Sequence, residues 1–221
     1  MTEKSTFNLK RMTEVELRNN DKWWSFYNNC FPSEEREPAE VIYRSIGAGG
    51  LVYQLTDGSQ TTGIATVQIL NSCATAMLVY FAVDPMIRGM GNGSYFLQLL
   101  YDDVEQHFKS LNLEFKGLIW EVEKPELAEN SEDEDLRIKR INFFKKNGGV
   151  IISEQYIQPP VDGISLVPMI LMFRCSRKNQ TLLSSETDQY IKSVYFEKYG
   201  RINGIDDEAL SALLKKIKID L

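Results

Sequence analysis

The stretch Tyr80-Phe-Ala-Val-Asp-Pro-Met-Ile-Arg88-Gly-Met-Gly-Asn-Gly93-Ser94-Tyr-Phe-Leu97 decides the fold. It completes an unbroken apolar run, Ala76 to Val83, of the kind carried by a strand covered on both faces. Proline cannot continue a central strand, so the run stops at Asp84-Pro85. Gly89, Gly91 and Gly93 follow, and then a helix with Phe96, Leu99, Leu100, Val104, Phe108 and Leu111 as its apolar stripe. Glycines permit unusual dihedrals and let a phosphate approach without meeting a Cβ. Loop amides and the helix N-terminus then offer N–H donors, and Arg88 adds a fixed positive charge. A pyrophosphate is the natural guest.

Two nucleotide motifs fit poorly. A P-loop requires lysine after its last glycine, and none stands here. Gly89 and Gly91 fit a G-x-G-x-x-G fingerprint, but its last position is Ser94. That fingerprint also wants an acidic residue at a strand end about 20 residues on, whereas the next strand begins only at Gly117.

Upstream, Thr13-x-x-Glu16 is a capping box opening a helix with Leu17, Trp24, Tyr27 and Phe31, ended by Pro32. After a charged connector over 31–38, Pro38 starts a short helix that Gly47, Gly49 and Gly50 stop. Strands are expected at Leu51 to Leu55 and Gly63 to Leu70, with turns at Asp57-Gly58 and Asn71-Ser72. Downstream, Gly117 to Val122 is a strand. The acidic patch Glu129 to Asp135 holds a second capping box, Ser131-x-x-Glu134. Its helix carries Arg137, Lys139, Arg140, Lys145 and Lys146 toward the end, matching the helix dipole, and closes at Asn147-Gly148-Gly149. Val150 to Gln158 and Val167 to Cys175 close the sheet around a loop at 159–163.

From Ser176 the character changes. A polar linker leads to a helical stripe, Tyr190, Ile191, Val194, Tyr195 and Tyr199, stopped by Gly200. Asp206 opens a last helix bearing Leu210, Leu213, Leu214 and Ile217. Residues 1–176 are expected to form one α+β domain and 177–221 a helical extension. The tyrosine stripe either covers the domain's own core or makes a homodimer contact.

The 221 residues carry a net charge of −6, which argues against nucleic acid or an anionic membrane as main partner. The cysteines, Cys30, Cys73 and Cys175, are far apart and form no C-x-x-C, so neither a disulfide framework nor a zinc site is indicated. The N-terminus lacks the apolar core of a signal peptide, and no run approaches the ~18 apolar residues of a membrane span. Cytoplasm is the expected compartment. His107, the single histidine, lies mid-helix with no nucleophile motif elsewhere, which disfavours a hydrolase triad or a metal centre.

Arg88-Gly-Met-Gly91-Asn-Gly93 satisfies [QR]-x-x-G-x-[GA], and Val83-Asp-Pro85 precedes it as "V-x-P". Phe143-Phe144-Lys-Lys-Asn-Gly148 resembles a helix end "FYxxxG". Together with the order of elements over about 1–175, these blocks resemble the GNAT acetyltransferases. The resemblance implies an α+β fold with a mixed, mostly antiparallel sheet of about seven strands flanked by helices, with the C-terminal helices added to it. It also implies acetyl-CoA as co-substrate, with no metal. The backbone of Phe81 and Val83 would pair with the pantetheine arm, and the amides of Arg88, Gly89, Met90, Gly91, Asn92, Gly93 and Ser94 would hold the pyrophosphate. Phe144 would pack against the cofactor. The strands Ala76–Val83 and Gly117–Val122 would splay to admit it.

The implied activity is transfer of an acetyl group to a primary amine on a small molecule or peptide. Acidic residues of the connector, Glu34, Glu35 and Glu37, would favour a cationic acceptor. An alkyl amine has a pKa near 10.4, so a base must take its proton. Glu121 is the first candidate and Glu123 the second, two apart and so on one face of their strand. Both could equally be strand-end carboxylates beside Lys124. Phe144 stands where many members have a proton-donating tyrosine, so water or another tyrosine must serve. Tyr156 is the candidate, unless it is there for packing. Arg137 stands where many members have a cofactor-contacting asparagine. The missing tyrosine also motivates an alternative, a catalytically inactive CoA-binding sensor or interaction module.

Overall fold

A computed structural model describes residues 7–160, 166–177 and 184–220. The loop residues 161–165 and the linker residues 178–183 lie outside them. The chain builds one mixed sheet from β1 (Phe7–Met12), β2 (Leu51–Asp57), β3 (Gln60–Leu70), β4 (Thr75–Val83), β5 (Gly117–Glu123), β6 (Val150–Ser153), β7 (Ile157–Gln158) and β8 (Val167–Cys175). The spatial order is β1-β2-β3-β4-β5-β8-β6, with β7 also on β8, and only β4 and β5 run parallel.

One face of the sheet is covered by α4 (Asn92–Ser110) and α5 (Ser131–Lys146). Their side chains Phe96, Leu100, Val104, Phe108, Ile141 and Phe144 pack on Leu78, Leu118, Trp120, Val122 and Met172 of the sheet. The opposite face is shared. α1 (Glu14–Arg18), α2 (Asp21–Cys30) and α3 (Ala39–Gly47) cover its first strands through Leu17, Trp23, Tyr27 and Ile42. The rest is covered by the C-terminal segment: α6 (Ser184–Ser193), a π-helix over Val194–Gly200, and α7 (Asp207–Lys216). Tyr190, Tyr195, Tyr199, Leu210 and Leu214 bury themselves against Met77, Ile119, Leu171 and Phe173. The tyrosine stripe therefore covers this chain's own sheet.

Several local expectations change. Phe7–Met12 is an edge strand whose Asn8, Lys10 and Arg11 disguise its alternation. The first helix is two, because Asn19 caps the end of α1 and Asn20 accepts the Trp23 amide to start α2. Pro38 is the cap of α3 and not its first helical residue. Asn130, not Ser131, caps α5 by accepting the Asp133 amide. Leu111 sits past the end of α4 and is exposed. The strand expected over Val150 to Gln158 breaks at 154–156 into β6 and β7.

The sheet opens where the chemistry is expected. Parallel pairing of β4 with β5 is confined to Thr75–Gly117, Ala76–Leu118 and Met77–Ile119. Opposite β3, Thr66 faces Tyr80 but Val67 faces Leu78, so Val79 is a bulge. A bulge bends its strand, and here it lies just past the last β4–β5 pair.

Candidate active site

The glycine loop is held by its own short bonds. The Asp84 carboxylate accepts from the Met86 amide (2.8 Å), and Asn92 Nδ2 donates to the Ile87 carbonyl (3.0 Å). Gly89 and Gly91 have φ of +80° and +86°, a left-handed backbone that favours glycine. A Cβ at either would meet nothing within 4 Å, so the space above the loop is open. Gly91 caps α4 without a side-chain acceptor. The Arg88 amide is taken by the Pro85 carbonyl (3.3 Å). Among the described residues, no acceptor takes the amides of Gly89 to Ser94. Six consecutive amides at a helix start, with no internal partner and with open space at Gly89 and Gly91, suit a diphosphate. The Arg88 guanidinium meanwhile turns back, donating to the Val83 carbonyl at 3.0 Å. Phe81 stacks on Phe96, with ring centroids 4.8 Å apart.

Glu121 lies on β5 two residues beyond the last pair with β4. Its carboxylate accepts from three side chains. Tyr156 donates to Oε1, Gln158 Nε2 to Oε2 at 2.6 Å, and the Tyr199 hydroxyl sits 2.9 and 2.8 Å from the two oxygens. Tyr156 and Tyr199 are buried, 0% and 2% exposed, while Glu121 keeps some accessible surface. Burial pushes the Glu121 carboxyl above its ordinary range, against the opposing pull of Tyr156, Tyr199, Gln158 and the Lys198 charge. Burial together with this carboxylate raises both phenols well above the ordinary tyrosine value. A desolvated carboxylate held by neutral donors is a competent proton acceptor.

Glu121 and Glu123 do not share a site. β5 ends at Glu123, which leans onto α5 and pairs with Arg140 and with Arg137 (3.4 Å). Arg137 also binds Asp133 (2.8 Å) and the Lys124 carbonyl (3.0 Å), so it ties the end of β5 to α5. Phe144 is buried and stacked on Trp120 at 4.6 Å, inside the core under the sheet. Its neighbour Phe143 is the ring nearer the loop, 3.2 Å from the position of a Cβ on Gly93. Glu37 is no free acidic group for a cationic acceptor. It is buried and paired with Lys198 of the π-helix, and it accepts from Asn203 Nδ2 at 2.6 Å.

Gln158, Tyr199 and Lys198 were not foreseen as site residues. Tyr199 stands 78 positions from Glu121, in a stripe whose period spoke only of burial. Among the described residues, no group of histidine, cysteine, aspartate and glutamate is arranged to hold a metal, and no helix is long and apolar enough to cross a membrane.

No family model matches the chain, and no curated protein sequence does. Solved structures do. A protein from Bacteroides thetaiotaomicron assigned to the GNAT acetyltransferase family superposes with a TM-score of 0.64 at 21% identity, covering 90% of this chain and 99% of its own. The ribosomal-protein-S18-alanine N-acetyltransferase of Escherichia coli gives 0.52 at 20% identity, covering 80% of this chain and all of its own. The chain therefore has the GNAT acetyltransferase fold: a mixed, mostly antiparallel sheet flanked by helices, with C-terminal helices added.

Proposed function

We propose that the protein is an N-acetyltransferase that moves the acetyl group of acetyl-CoA to a primary amine. The observation that carries this is the unpartnered amide row from Gly89 to Ser94, in the loop that follows β4, together with the end of β4–β5 pairing at Met77–Ile119 and Glu121 two residues beyond it on β5. The amides would hold the diphosphate, and the free edge of β4 from Leu78 to Val83 would take the pantetheine arm as an added strand. Turning Arg88 away from the Val83 carbonyl would free that carbonyl for the arm and the guanidinium for the phosphates.

A thioester bound there supplies the electrophile. The chain's own part is to orient the amine and take its proton. Glu121 is the base in this account, reached by the amine directly or through one water. Tyr156, Gln158 and Tyr199 hold the carboxylate in one orientation. Tyr156 acts through Glu121, since its hydroxyl is committed to that carboxylate. Glu123 has no catalytic part, being held by Arg137 and Arg140. The E. coli neighbour acts on an alanine of a ribosomal protein, in keeping with an amine acceptor.

The test is release of free thiol from acetyl-CoA in the presence of polyamines, amino acids, aminoglycosides and lysine peptides. Turnover on at least one amine, lost in Glu121→Gln, is expected. Tight coenzyme A binding with no thiol release on any amine would favour the second reading, an inactive CoA-binding module. The observation behind that reading is Phe144, a buried ring without a proton to give.

A further inference from the structure

The segment Val194–Gly200 is a π-helix joining α6 to the chain before α7. Such turns are rare, and they occur frequently at functional sites. Its residues are anchored in several directions. The Tyr195 hydroxyl donates to the Ile157 carbonyl at 2.5 Å. The Glu197 carboxylate accepts the amides of Asn71 and Ser72 at 2.8 and 3.0 Å. Lys198 binds Glu37 and, at 2.8 Å, Asn203 Oδ1. Tyr199 alone reaches Glu121. Three anchors, from Tyr195, Glu197 and Lys198, fix the turn against β7, the β3–β4 connection and the connector before α3. The Tyr199 hydroxyl lies on the Glu121 carboxylate.

We infer that Tyr199 is a positioning residue for Glu121, so that the C-terminal segment is a working part of the active site. This rests on the reading of Glu121 as the base. The Tyr199 phenol is buried, and its oxygen lies within hydrogen-bond distance of both carboxylate oxygens. It stabilises the ionised form and fixes the plane of the carboxylate. The groups facing Glu121 are Tyr156 and Gln158 around β7, with Tyr199, Lys198 and Tyr195 from the π-helix. Glu37 stands behind Tyr199. Lys198 is the one cation among them, and its bonds go to Glu37 and Asn203. Neutral donors therefore carry most of the stabilisation of the charge.

The test is carbon-13 NMR of the glutamate side-chain carboxyls, with the Glu121 signal assigned by its loss in Glu121→Gln. Tyr199→Phe removes one oxygen from a buried site and is expected to raise the Glu121 titration midpoint by about one pH unit. Replacing Tyr199 by 3-fluorotyrosine, a stronger donor of almost the same size, should move it the other way. That replacement decides the matter even if the phenylalanine variant fails to fold. Tyr190→Phe, on α6 of the same segment and not among the groups facing Glu121, should leave the midpoint in place. Where an acceptor turns over, the acid limb of kcat/KM should shift with the NMR midpoint. An unmoved midpoint in both Tyr199 replacements overturns the inference. Full activity in Glu121→Gln overturns the base assignment instead, so the two failures are separable.

Discussion

Replacing Lys198 by methionine tests how the C-terminal segment is fastened to the rest of the fold. The Lys198 and Glu37 side chains are 2% and 4% exposed, so neither charge is compensated by water. Lys198→Met keeps the apolar stem and removes the cation. Glu37 is then left with Asn203 Nδ2 as its donor inside the protein. Removing one partner of a buried ion pair costs about 3–5 kcal/mol. In a chain of this size each kcal/mol lowers Tm by about 2–4 °C, so the expected fall is about 6–20 °C. The double variant Lys198→Met, Glu37→Met separates charge from shape. Apolar replacement of both ions is close to neutral, but Asn203 loses both partners, at a cost of about 1–3 kcal/mol. The double variant should therefore melt above the single one and somewhat below the parent. Calorimetry with urea unfolding at constant m-value is the assay. A single variant melting within about 2 °C of the parent would refute the reasoning, because the pair would then be open to water. A double variant no better than the single one would show that shape, not charge, carries the loss.

Glu121→Gln should lower kcat by about 10²–10⁴-fold, the usual contribution of a general base, with coenzyme A affinity unchanged by calorimetry. Because burial holds the Glu121 carboxyl above the ordinary value of about 4.3, kcat/KM should fall on acidification with a midpoint above that value. The same upward shift sets a stability trend. Its contribution is complete below about pH 4.3 and lost as pH rises through the folded value, so the parent should lose stability relative to Glu121→Gln across that window. Gly91→Ala places a Cβ at φ +86°, at about 1–2 kcal/mol, and should weaken coenzyme A binding by up to about 30-fold with little effect on the amine KM. Removing residues 184–221 uncovers Met77, Ile119, Leu171 and Phe173, and the product should lose cooperative unfolding in a thermal scan.

The glycine loop was legible in the sequence because every requirement there is local. A strand end, two glycines in left-handed backbone and a helix start lie within about fifteen residues, and each follows from the chain's own dihedrals. The apolar run Ala76 to Val83 and the strand Val167 to Cys175 were readable for the same reason. β1 was not, since an edge strand satisfies only one side and tolerates Lys10 and Arg11. Asn20 could have marked the break between the first two helices, being an N-cap residue followed by Asp21. The cluster around Glu121 was half legible. Period two put Glu121 and Glu123 on one face, but Glu123 sits at the strand's end and pairs with Arg137 and Arg140 of α5. Tyr199 was beyond reach. Its stripe fits a buried helix equally well whether the hydroxyls meet backbone or a carboxylate, and a π-turn has no sequence signature that sets it apart from an α-turn.

Titration calorimetry with coenzyme A puts the loop itself to the test. Saturable heat at one site per chain is expected, reduced in Gly91→Ala and preserved in Glu121→Gln. Absence of heat with the intact protein would contradict a diphosphate seat on the amides of Gly89 to Ser94, and with it the proposed acetyl transfer.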